Sequence, residues 1–126
     1  MDTRTIDELH TEHVDWLSKL QFYADEIKLM KERIGEAASA NTSKEVLAQV
    51  EHFQNQLIVQ KNNIDTLRHE VNDHENYLEN RVDENPVAAG KRKVHDHPLL
   101  RDKMESFETQ FNALRKELQA FQAKVY

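Results

Sequence analysis

Imidazole and carboxylate side chains recur at helical spacing in two parts of the chain. His10 and His13 are three residues apart; His69 and Asp73, and Glu70 and His74, are four apart. In a helix such pairs share a face. Both groups ligate Zn, Fe, Mn or Cu, and helical bundles hold such ions between facing helices. The candidate metal set is His10, His13, Glu70 and His74, with His69 and Asp73 as substitutes and Zn or Fe as the ion. No Glu-x-x-His pair is present, although helical carboxylate di-metal sites rely on one. The competing reading makes His13 and His74 buried, hydrogen-bonded residues that fix helix register, a role that Gln60 would share. Buried neutral histidines would then weaken the fold as the pH drops.

A second candidate surface is apolar. Phe22 and Leu29 lie seven residues apart, and Ile58 and Val59 sit side by side. All four fall off the main apolar stripe and mark an expected partner interface. A second copy of the chain is the expected partner, because two-fold dimers are the commonest assembly.

Other chemistries find no support. Cysteine is absent, which removes disulfides, thiolate sites and Cys nucleophiles. The cluster Gly90-Lys91-Arg92-Lys93 lacks the Gly-x-x-x-x-Gly-Lys-Ser/Thr pattern of a phosphate loop. No Ser, His and Asp grouping or nucleophile elbow appears. The net charge of −6 argues against nucleic-acid binding. No apolar run reaches the ~20 residues of a membrane span, and the start, MDTRTIDELH, is too polar for a secretory signal. A cytoplasmic location is therefore expected, with neither membrane nor nucleic acid as partner. The expected function is non-enzymatic: a helical bundle acting through protein–protein association, without a cofactor. The alternative is a metal-binding or metal-dependent redox bundle.

These residues must be positioned by helices. Apolar residues follow one another at alternating steps of three and four from Ile6 to Ile34, from Val46 to Leu78 and from Leu100 to Val125. A mean step of 3.5 is the heptad signature. Only His13, Gln60 and His74 interrupt the stripes with plainly polar groups. Thr5-x-x-Glu8 and Thr42-x-x-Glu45 fit capping boxes. Gly35 and the small polar run from Ser39 to Ser43 suit a helix end. Asn85-Pro86 should stop the second helix, and Pro98 suits the first turn of the third.

The prediction is one all-α domain over residues 1–126, an elongated antiparallel up-down-up three-helix bundle with heptad packing and no sheet. Its helices span about 4–35, 43–81 and 97–125, with a linker at about 83–96. Centring the first turn near residue 40 makes residue i of helix one face residue 80 − i of helix two. Helices two and three relate by a sum of about 179. On this ruler six of the seven histidines, all but His52, gather at one end of the rod. His13 and His74 remain about two layers, or ~10 Å, apart. Phe22 falls opposite residue 58.

Overall fold

The computed structural model describes residues 3–84, 93–95 and 98–125. Three helices carry the described fold: α1 (Ile6–Ala40), α2 (Lys44–Glu84) and α3 (Pro98–Val125). They pack as an all-α three-helix bundle. None is long and apolar enough to cross a membrane.

The buried residues are those of the stripes. Leu20, Leu57, Ile64, Val71 and Phe111 are fully enclosed and belong to one core shared by the three helices. A smaller cluster of Ile6, Leu9 and Leu78 is separate from it.

Contacts between helices set their directions. His13 meets His74 and Gln21 meets Arg68, with residue numbers summing to 87 and 89. A near-constant sum belongs to oppositely directed neighbours. Lys103 bonds Glu70 and the Phe53 ring packs at a tilt against Phe121, with sums of 173 and 174. Glu12 pairs with Arg101 and Glu26 with Arg115, both 89 residues apart, the constant difference of helices running the same way.

Several boundaries differ from expectation. α1 does not end at Gly35 but continues to Ala40. One glycine in a helix costs about 1 kcal/mol, and Ile34 and Ala37 on either side bury against the core. α2 begins at Lys44, so Ser43 rather than Thr42 precedes it, and Ser43 O accepts from Leu47 N at 3.0 Å. α2 runs to Glu84, three residues past its expected end and up to Asn85-Pro86. Thr5 caps α1 as expected, accepting from Glu8 N at 3.2 Å. Pro98 opens α3.

The longer α1 moves the turn from residue 40 to residues 41–43, which displaces every height on the ruler. A sheet was not expected either. Thr3–Thr5 (β1) and Lys93–His95 (β2) pair antiparallel, with Thr3 opposite His95 and Thr5 opposite Lys93. The extended backbone that Thr5 needs as an N-cap lets the residues before it pair with the returning chain. Asp96 and His97, which precede α3, and the cluster from Gly90 to Arg92 lie outside the described residues.

Candidate functional site: a buried histidine pair and its carboxylate

His13 and His74 point inward because they hold stripe positions on α1 and α2, and both are buried, at 1 % and 7 % exposure. The two rings do not lie two layers apart. His74 Nδ1 is 2.7 Å from His13 Nε2, with centroids 4.5 Å apart in an edge-on arrangement. The ruler summed to 80 where the pair sums to 87; seven residues are two turns, which accounts for the ~10 Å discrepancy.

The other ring nitrogen of His13, Nδ1, is 3.3 Å from Glu75 Oε1, and His10 Nδ1 is 2.6 Å from Glu75 Oε2. A carboxylate only accepts, so neutral His13 carries its proton on Nδ1 and donates it to Glu75. His13 Nε2 is then an acceptor, and His74 donates its Nδ1–H to it. A hydrogen-bonded chain runs from His74 through His13 to Glu75, which His10 also engages from the exposed side.

The surroundings close the site. Trp16 lies 5.8 Å from His13, and Tyr77 stacks on His74 at 6.3 Å. On α3, Arg101 forks onto both oxygens of Glu12, at 2.9 and 3.1 Å. Burial holds the His13 pKa below its ordinary 6.5; the hydrogen bond and charge of Glu75, then the charge of Glu12, pull it back up, and His10 adds a small lowering. Desolvation outweighs the carboxylates.

The proposed metal set is not assembled as a unit. His10, His13 and His74 converge, but their nitrogens turn onto one another and onto Glu75. Glu70 instead binds Lys103 at 3.1 Å across the α2–α3 boundary. His69 and Asp73 pair with each other on the exposed side of α2. Among the described residues no group of three or more His, Cys, Asp or Glu could hold an ion. Glu75 was missed because it lies off the apolar stripe; its position next to seam residue His74, on a helix facing His10, was the available signal.

The four apolar candidates are all exposed: Phe22 63 %, Leu29 53 %, Ile58 52 % and Val59 47 %. They do not share one face. Glu12 and Glu26 mark the side of α1 toward α3; Phe22 precedes Glu26 by four residues and Leu29 follows it by three. Leu29 lines a groove between α1 and α3 with Met30, Arg33, Arg115 and Leu118. Val59 is on the stripe of Asn63, Thr66 and Glu70, which line a groove between α2 and α3. Ile58 lies ten residues before Arg68, on the side toward α1. With the corrected register Phe22 faces residues near 65, not 58.

Comparison with protein-family models, curated proteins and solved structures finds no match to this chain.

Proposed function

We propose that the protein is a non-enzymatic helical bundle that works by protein–protein association, with a second copy of the chain as partner. The observation that carries this reading is the pair Phe22 and Leu29, one heptad apart, well exposed and beside the α1–α3 boundary. Two grooves follow that boundary. One has Trp16 and Met104 among its lining residues, the other Met30 and Leu118. The other residues lining both grooves are mostly charged or polar, so Phe22 and Leu29 supply most of the apolar surface for helix-in-groove docking. A two-fold dimer lets each copy supply both elements. Ile58 and Val59 point to other sides and have no part in this contact.

The test is molar mass by light scattering after gel filtration, from micromolar to hundreds of micromolar protein. The wild type should approach twice the 14.8 kDa of one chain. A Phe22→Glu, Leu29→Glu double variant should stay at the single-chain mass, while Ile58→Glu should behave as the wild type. A wild type that stays monomeric throughout overturns the reading.

A further inference from the structure

We propose that the His13–His74 contact is an acid-operated release for one tip of the bundle: it holds the start of α1 against the end of α2 while the two rings together carry at most one positive charge, and lets that tip separate when both rings are charged.

The layout of the core supports this. The histidine pair is absent from both apolar clusters and stands between them in sequence on each helix. On one side lies the long main core, starting at Trp16 on α1 and Val71 on α2, and on α3 it reaches Leu100, level with the histidines. On the other lie only Ile6, Leu9 and Leu78. The tip is therefore joined to the rest of the α1–α2 pairing through a polar layer. The backbone pairing of Thr3–Thr5 with Lys93–His95 adjoins the start of α1.

Charge decides whether that layer holds. The described groups facing His13 are His10 and Glu12 on its own helix, His74 and Glu75 on α2, and Arg101 on α3. Arg101 is taken up by Glu12, so Glu75 is the carboxylate that faces the rings directly. One proton on the pair is accommodated: His13 then donates to Glu75 through Nδ1 and to His74 Nδ1 through Nε2. A second proton makes both facing nitrogens donors. Two cations 2.7 Å apart in a buried site then repel, while Glu75 already serves His10 and Glu12 already holds Arg101. Such a pair titrates as a unit.

The sign follows from His13. Its pKa is lowered on folding, so its contribution to stability is complete above the unfolded value of 6.5 and is lost as the pH falls from there through the folded value. The window is the mildly acidic range, above the pH at which ordinary carboxylates take up protons, near ~4.

The full-length protein carries its own probe, because Trp16, its single tryptophan, lies beside His13 and a protonated imidazole quenches indole emission. Trp16 fluorescence and backbone hydrogen exchange are followed from pH 7.5 to pH 5. In the wild type, emission should fall with a midpoint below 6.5. Exchange at residues 6–12 and 75–84, corrected for intrinsic pH dependence, should rise tenfold or more, while residues near Leu57 and Phe111 stay protected. A His13→Gln, His74→Gln variant should show neither change.

Unchanged tip exchange in the wild type, or the same acid response in the double variant, overturns the proposal. Should the double variant not fold, the wild type decides alone. A His13 ring whose proton resonances titrate with a midpoint at or above 6.5 has no deficit of stability in acid to release.

Discussion

At the scale of residues, three polar side chains sit where the stripes call for apolar ones, and the bundle buries each of them: His13, Gln60 and His74. The histidines satisfy each other and Glu75. Gln60 does not fare as well, since its Oε1 is enclosed with no hydrogen-bond partner among the described residues. An unpartnered buried acceptor costs about 1–3 kcal/mol. Gln60→Leu should therefore raise stability by about 1–2 kcal/mol in urea unfolding at pH 7.5, and a loss would show that Gln60 has a partner. The burial of all three residues was legible, because a polar residue in phase with a heptad has nowhere else to point. Their partners were not. Which nitrogen meets which oxygen depends on heights across two helices, whereas Glu70 was legible only as sharing a face with His74 at a spacing of four. The carboxylate that meets the pair is Glu75, while Glu70 binds Lys103.

At the scale of elements, periodicity located all three helices, while single punctuating residues misled. Gly35 reads as a stop, yet α1 passes through it because the helix continues to bury Ala37 beyond it. Thr5 and Pro98 were legible as helix starts because each has a local mechanism that needs no tertiary partner: a side-chain cap in one case, a missing N–H in the other. The strand pairing of Thr3–Thr5 was not legible, since three residues carry no alternation to read. A Cβ built on Gly35 meets nothing within 4 Å. Gly35→Ala should thus stabilise the protein by about 0.5–1 kcal/mol, measured by thermal or urea unfolding. A destabilised variant would mean that the helix does not continue past Ile34 in solution.

At the scale of the whole molecule, one number organises the account: the sum of 87 that relates α1 to α2. It brings His13 against His74, and it joins the small cluster of Ile6, Leu9 and Leu78 to the main core through a polar layer. The stripes alone specify that three helices pack, but sliding one helix by a heptad preserves every apolar contact type, so register was the least legible property of the fold. Its proposed acid sensitivity rests on that register. The association surface depends on which side of each helix faces which neighbour, and the ion pairs Glu12–Arg101 and Glu26–Arg115 supply that for Phe22 and Leu29. Because the chain has no native cysteine, register can be read directly by oxidative cross-linking of two introduced ones. The most direct test compares His13→Cys, His74→Cys with His13→Cys, Leu67→Cys, the pair that a sum of 80 would bring together. The first should form an intramolecular disulfide readily and the second should not; the reverse outcome would contradict the register and everything placed by it.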